Sequence, residues 1–89
     1  MALLDLLGRR WCLRVLWELR EDRLSFRALQ ARCEQVSPTV LNQRLKELRE
    51  AGLVDLADQG GFGLTERGRD LAWQLMPLHR FAETWARDL

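Results

Sequence analysis

The sequence predicts a mainly α-helical domain with one small β-hairpin. Three observations lead to this expectation: helix start signals at Ser25 and Ser37, a glycine-rich turn near residue 60, and a last segment with apolar residues at helical spacing. A chain of 89 residues is expected to form a single domain over residues 1–89. Hydrophobic residues make up 47% and charged residues 30%, a balance typical of folded proteins rather than disordered ones.

The first half of the chain predicts a short leucine-rich turn of helix and two longer helices before Ser37. Gly8 separates a short leucine-rich turn from a predicted helix over about residues 9–21. Apolar residues surround most of this helix, so other elements must cover it on several sides. The next helix is expected to start at Ser25, whose hydroxyl can accept from first-turn amides, and to run to about Glu34.

A third helix follows a short turn at residues 34–36. Ser37 is typical of an N-cap, and Pro38 is typical of the first position inside a helix. Gly52 suits the left-handed position just past a helix end, which would let Leu53 fold back onto the helix. We therefore expect a helix that begins after Ser37 and ends near residue 51.

A hairpin and a long helix are expected to complete the domain. Residues 53–57 and 62–64 are predicted to be short strands, joined by a turn over residues 58–61. Thr65 is expected to cap a last helix over about residues 65–88, with a bend near Pro77, where an amide donor is missing.

This order of elements indicates a winged helix-turn-helix, a fold that binds DNA. The helix-turn-helix would span about residues 25–51, and the wing about residues 53–64. At 100° per residue, Leu41, Leu45 and Leu48 of the third helix share one face, which we expect to be buried. The opposite face would then present polar side chains to a major groove, where they can bond to base edges and phosphates: Thr39, Asn42, Gln43 and Lys46.

The charge distribution agrees with this prediction. Residues 23–49 hold six basic and two acidic residues, although the whole chain has a net charge of only +1. Such a segment can form a local positive face. Ser25 and Arg27 open the helix that precedes the recognition helix, and we expect both to lie near phosphates.

The motifs of this chain, in their order, resemble those of the HxlR-type winged-helix transcriptional regulators. The resemblance rests on LLGRRW at 6–11, LWEL at 16–19, FRAL at 26–29, the whole of 37–54, LTERG at 64–68 and LMPL at 75–78 with Trp85. It implies a bacterial or archaeal homodimeric regulator whose terminal helices form the dimer contact. It also implies that Ser37 lies towards DNA, together with Thr39, Asn42, Gln43 and Lys46.

The chain ends also suggest a homodimer. In the last helix one apolar stripe runs from Leu71 to Leu89, whereas Trp73 and Met76 lie on the other side. The surplus of apolar residues at positions 3–19 points the same way. The predicted interface residues are Leu3, Leu7, Trp73, Met76 and Trp85. A two-fold dimer would bind a near-palindromic operator.

Several function classes are not indicated by the sequence. No apolar run reaches the length of a membrane span, the N-terminus lacks the basic start of a signal peptide, and two cysteines fit a reducing cytoplasm. Cys12 and Cys33 are expected to be buried and inert, and His79 is expected to be a solvated surface residue. No metal cluster or nucleophile–base pair can be assembled, so we expect no cofactor and no enzyme activity.

Two alternatives to a regulator that binds DNA through its recognition helix stay open. The wing holds no Arg or Lys between Leu53 and Glu66, and the net charge is near zero. These features would also fit a winged-helix module for protein interaction or dimerisation that does not bind DNA strongly. Redox control through a thiol is a further hypothesis. No residue pattern points to a small-molecule effector.

Overall fold

The computed structural model describes residues 2–89, in which five helices and one antiparallel hairpin follow in the predicted order. The elements are α1 (Ala2–Leu7), α2 (Cys12–Glu18), α3 (Phe26–Arg32), α4 (Pro38–Glu50), β1 (Val54–Leu56), β2 (Phe62–Leu64) and α5 (Glu66–Arg87). The mainly helical fold with a small wing is therefore confirmed.

Helix α2 is shorter than the helix predicted over residues 9–21. It begins at Cys12 because Trp11, with φ 78°, adopts a left-handed conformation that cannot continue a right-handed helix. The helix ends at Glu18, after which the guanidinium of Arg20 donates to the carbonyl oxygen of Trp17 at 2.8 Å. The apolar residues of this segment correctly predicted the burial of Val15, Leu16 and Leu19, but Leu13 is 40% exposed. The apolar pattern also did not show where the helix begins and ends.

The predicted caps of the helix-turn-helix are confirmed. The Ser25 hydroxyl accepts from the Ala28 amide at 3.1 Å, and the Ser37 hydroxyl accepts from the Val40 amide at 3.2 Å. These bonds satisfy amides that have no partner within their own helices.

The end of α4 is a Schellman motif built on Gly52. The φ angle of Gly52 is 76°, its amide donates to Arg49, and the Leu53 amide donates back to the carbonyl of Leu48 at 3.0 Å. This turn sends the chain directly from the recognition helix into the wing.

The turn between α3 and α4 contains two left-handed residues that are not glycine. Glu34 and Gln35 both have φ 58°, a conformation that costs free energy for most side chains. Two bonds hold the turn: the Gln35 amide donates to the Gln30 carbonyl, and the Gln30 side chain donates to the Val36 carbonyl, both at 2.9 Å. Gln30 therefore supports the turn from both sides.

A third backbone segment, which precedes α3, pairs with the wing. Strands β1 and β2 pair with Asp55 opposite Gly63. Leu24 bridges to Phe62 through two backbone hydrogen bonds of 2.9 and 2.7 Å. The segment before α3 therefore pairs with the edge of β2 that does not face β1.

One apolar core joins α2, α3, α4 and the wing. The predicted inward face of α4 is buried, and so are both cysteines and the inner face of β2. The buried hydrophobic residues of this core are Cys12, Val15, Leu16, Leu19, Leu24, Leu29, Cys33, Val36, Leu41, Leu45, Leu48, Leu53, Val54, Phe62 and Leu64.

Helix α5 packs on this core only through its first half. Thr65 caps it by accepting from the Gly68 amide at 3.0 Å, and Leu71, Ala72 and Leu75 contact the core. The helix continues through Pro77 to Arg87, and residues 80–89 are exposed. Beyond His79, the second half of the helix therefore extends away from the rest of the chain.

Candidate DNA-binding surface

The outward face of α4 is polar and exposed. Because Leu41, Leu45 and Leu48 are buried, the residues opposite them cannot contact the core. All seven side chains predicted to contact DNA are exposed: Ser25, Arg27, Ser37, Thr39, Asn42, Gln43 and Lys46. The hydroxyls of Ser25 and Ser37 accept helix amides, and each retains its own proton to donate to a phosphate.

Ion pairs divide the basic residues of the helix-turn-helix into two groups. The paired group consists of Arg23, Arg32 and Arg44, which face Asp55, Glu18 and Glu47 respectively. The second group, Arg27, Lys46 and Arg49, has no acidic partner within residues 2–89. The second group is therefore free to bind an external anion.

Glu47 lies on α4 but does not add a free negative charge to the DNA-facing side. It binds Arg44, and its carboxylate lies 3.4 Å from the Nε of Arg9. Burial alone would raise the pKa of Glu47, but hydrogen bonds from Arg44 and Gln43 and the charges of Arg44 and Arg9 together hold this pKa below its ordinary value. This cluster ties α4 to the segment before α2.

A groove separates α4 from the wing. Lys46, Arg49 and Glu50 line it from the helix, and residues 54–56 line it from β1. The two unpaired cations of α4 thus lie beside the wing as well as on the recognition helix.

Arg23 places a positive charge on the wing that the sequence analysis missed. Its guanidinium donates to the Gly61 carbonyl oxygen at 2.8 Å and lies 2.7 Å from a carboxylate oxygen of Asp55. The hairpin itself contains no cation, whereas Arg23 comes from the segment that pairs with β2. Glycines at alternate positions, 61 and 63, were the one sequence signal of this contact.

The predicted dimer residues differ in how far they are available to a partner. Trp73 is 73% exposed, Trp85 is 56% exposed, and Leu3 is also exposed. Leu7 and Met76 are half-buried, and Leu7 packs partly against the core of its own chain. Four further apolar side chains outside the predicted interface set are also exposed on α1 and at the end of the chain: Leu4, Leu78, Phe81 and Leu89.

The His79 side chain is 40% exposed, in line with the surface position expected for it, but one face of its ring is covered. Its ring stacks on Trp17 with centroids 3.9 Å apart and planes 13° apart. The Arg20 guanidinium lies 3.8 Å from the centroid of the same indole. Two groups this close to one centroid must occupy opposite faces, so Trp17 is enclosed between them. The helical pattern of α5 could not show that Trp17 of α2 reaches this position.

The two cysteines are buried, as predicted. Burial raises the pKa of the thiols of both Cys12 and Cys33, which lowers the thiolate fraction that reacts with oxidants. No cluster of three or more metal-ligating side chains occurs in the described part of the chain. Likewise, no helix between residues 2 and 89 is long and apolar enough to cross a membrane.

Comparisons with known proteins identify the family of this arrangement. The family model of HxlR-like helix-turn-helix proteins matches residues 6–89. The HTH-type transcriptional regulator YvaP of Bacillus subtilis is 30% identical over 87 residues, which cover 91% of this chain and 81% of YvaP. The diphtheria toxin repressor of Corynebacterium diphtheriae is 37% identical over 79 residues, but this chain spans only 34% of its length.

Solved structures share the fold. A possible HxlR family transcriptional factor from Thermoplasma volcanium superposes with a TM-score of 0.86 at 30% identity, covering 94% of this chain and 81% of the other. Quinone-bound YodB from B. subtilis superposes with a TM-score of 0.79 at 25% identity, covering 99% and 94% of the two chains. The chain therefore belongs to the HxlR-like helix-turn-helix family and is a DNA-binding transcriptional regulator.

Proposed function

We propose that this regulator binds DNA as a homodimer, with α4 of each protomer in a major groove of a near-palindromic operator. The observation that carries the proposal is the face of α4 opposite its buried leucines. That face is exposed and holds no acidic residue in the first two turns, because Glu47 and Glu50 lie near the end of the helix. A helix whose first turns carry no acidic residue can approach the negatively charged duplex without repulsion.

Each polar residue of this surface has a role that follows from its chemistry. Asn42 and Gln43 can form paired hydrogen bonds with an adenine edge, and Thr39 can contact either a base or a thymine methyl group. Lys46 supplies a positive charge for a phosphate. Ser25, Arg27 and Ser37 lie at the starts of α3 and α4 and are assigned to the DNA backbone, so they set position rather than sequence preference.

The dimer proposal rests on the apolar residues that the fold leaves uncovered at the ends of the chain. Exposed aromatic and leucine side chains continue along the projecting half of α5, and further exposed leucines lie on α1. Such patches are typical of interfaces between protein chains. Residues 65–88 would thus act as the dimerisation helix of a single winged domain, and the two recognition helices would lie about 34 Å apart.

Selection of bound duplexes from a random DNA pool, followed by titration of variants, tests the placement of α4. We expect Asn42→Ala to reduce discrimination at particular base pairs. Lys46→Ala should weaken binding to all sequences alike and lower the slope of log K against log salt by about 0.9 per protomer. Arg80→Ala, which removes an exposed cation from the projecting half of α5, is the matched control. Equal losses from Lys46→Ala and Arg80→Ala would contradict the placement.

Sedimentation equilibrium tests the dimer. The wild-type protein is expected to have twice the mass of one chain, and Trp85→Asp is expected to shift it towards the monomer. Arg80→Asp adds the same acidic side chain to the same helix and should leave the dimer intact. A wild-type monomer at micromolar concentration would refute the proposal, and an intact Trp85→Asp dimer would place the interface elsewhere.

A further inference from the structure

The hairpin of this regulator contains no basic residue, and the positive charge on the wing comes from Arg23 in the segment before α3. Within the hairpin the charged residues are Asp55 and Asp58, both acidic. The bridge between Leu24 and Phe62 brings the preceding residue, Arg23, alongside β2. The backbone pairing of Leu24 therefore determines where this arginine lies.

Two glycines give the Arg23 side chain room to lie flat on the wing. A Cβ atom at Gly61 would come within 2.8 Å of Arg23 Cγ, and one at Gly63 would come within 2.7 Å of Arg23 Cζ. Phe62 and Leu64 of the same strand point into the core. Since side chains alternate along a strand, Arg23 lies on the outer face of the hairpin.

Asp55 holds the guanidinium on this face without using all of its donors. Asp55 is directly opposite Gly63 in the strand pairing, so its carboxylate meets the arginine that lies over that glycine. Both polar contacts of Arg23 pass through Nη1. A guanidinium has five N–H donors, and the side chain is 42% exposed, so Nη2 and Nε can bind a further acceptor.

The same carboxylate lies at the groove that Lys46 and Arg49 line from α4. Arg23 pairs with Asp55 from the wing, and Lys46 and Arg49 line the same groove from the recognition helix together with Glu50. Three cations and two carboxylates leave a charge of +1 between these two elements, where a phosphate of a bound duplex would be favoured.

We propose that Arg23 is the DNA-binding cation of the wing and that its guanidinium binds a backbone phosphate of the duplex that α4 engages. Asp55 and the Gly61 carbonyl orient the side chain before DNA arrives. A planar guanidinium held in this way is suited to a phosphate, which can accept two parallel hydrogen bonds from it. The inference rests on the proposed placement of α4, since that placement brings the duplex to the groove.

Salt-dependent fluorescence anisotropy with a labelled random duplex of about 30 base pairs tests the assignment. We expect Arg23→Gln to weaken binding and to lower the slope of log K against log salt by about 0.9 per protomer. Asp55→Asn should instead strengthen binding, because it removes a negative charge and leaves Arg23 in place.

The double variant separates a phosphate contact from simple neutralisation of Asp55. If Arg23 binds phosphate, Arg23→Gln with Asp55→Asn remains weaker than wild type and keeps the reduced slope. Wild-type affinity and slope in the double variant would overturn the proposal, because Arg23 would then serve only to cancel Asp55. Melting curves check that both single variants are folded, and the effect of Asp55→Asn is measured even if Arg23→Gln does not fold.

Lys46→Ala, measured with the same duplex, distinguishes this inference from the placement of α4. A reduced slope for Lys46→Ala with an unchanged slope for Arg23→Gln would overturn the role of Arg23 alone. The reverse result would support Arg23 and contradict α4 as the principal contact. Unchanged slopes in both variants would overturn both.

Discussion

Replacing Gly68 with alanine tests the packing that joins α5 to the wing. Gly68 is buried in the first turns of α5. A Cβ atom there would lie 2.0 Å from the Leu53 carbonyl oxygen and 3.3 Å from the Cβ of Leu64. That oxygen cannot move freely because it accepts the Thr65 amide at 3.1 Å. The only way to fit the methyl group is to shift α5 or the start of the wing.

Two physical effects of this substitution have opposite signs. In an ordinary helix position, alanine is about 1 kcal/mol more favourable than glycine. Overpacking against fixed atoms costs about 1–3 kcal/mol and occasionally more. A contact of 2.0 Å with backbone belongs at the upper end of that cost, so we expect Gly68→Ala to lower the free energy of unfolding by about 2 kcal/mol.

Urea and thermal unfolding followed by circular dichroism measure this loss. For a domain of this size, about 2 kcal/mol corresponds to a fall in Tm of about 10 °C. Arg67→Ala is the control, since it places alanine at the adjacent exposed position of α5 and should change stability by less than about 0.5 kcal/mol. Equal protein concentrations are required because association also raises Tm. A Gly68→Ala protein as stable as wild type would refute the argument.

Three other predictions concern the cap of α4, the thiols and Glu47. Ser37→Ala removes the bond to the Val40 amide and should cost about 1 kcal/mol in urea unfolding, whereas Ser37→Asp should retain most of the stability. Cys12 and Cys33 should react with a thiol reagent only as the protein unfolds, so labelling as fast as that of a free thiol would contradict their burial. Because its folded pKa is lowered, Glu47 stabilises the fold above its ordinary pKa of 4.5, and this stabilisation is lost as pH falls below that value. Glu47→Gln should therefore flatten the acid side of the curve of stability against pH; an unchanged curve would show that Glu47 has no such role.

Local signals allowed most of the fold to be predicted. The caps at Ser25, Ser37 and Thr65 and the turn at Gly52 depend on neighbouring residues in the chain, and each was found where the sequence placed it. The inward leucine face of α4 followed from helical geometry in the same way. The limits of α2 were predicted less well because the left-handed Trp11 has no such local signal.

The candidate site was predictable only in part. The exposed polar face of α4 followed from the position of its leucines, since the two faces of a helix are linked by its period. The sequence did not show which cations lack an acidic partner. Arg44 and Lys46 are both basic residues of α4, and they differ only in whether a carboxylate lies beside them in the folded chain.

The sequence by itself determined that the leucine face of the recognition helix and both cysteines are buried, where that helix begins and ends, and that its outward face is polar. These properties depend on side-chain type and spacing within a few turns of chain. Only the tertiary structure decided that Arg23 lies on the wing, that His79 stacks on Trp17, and that Glu34 and Gln35 turn the chain. The physical reason is that these three features are contacts or backbone conformations imposed by packing between segments, and no local pattern of residues encodes them.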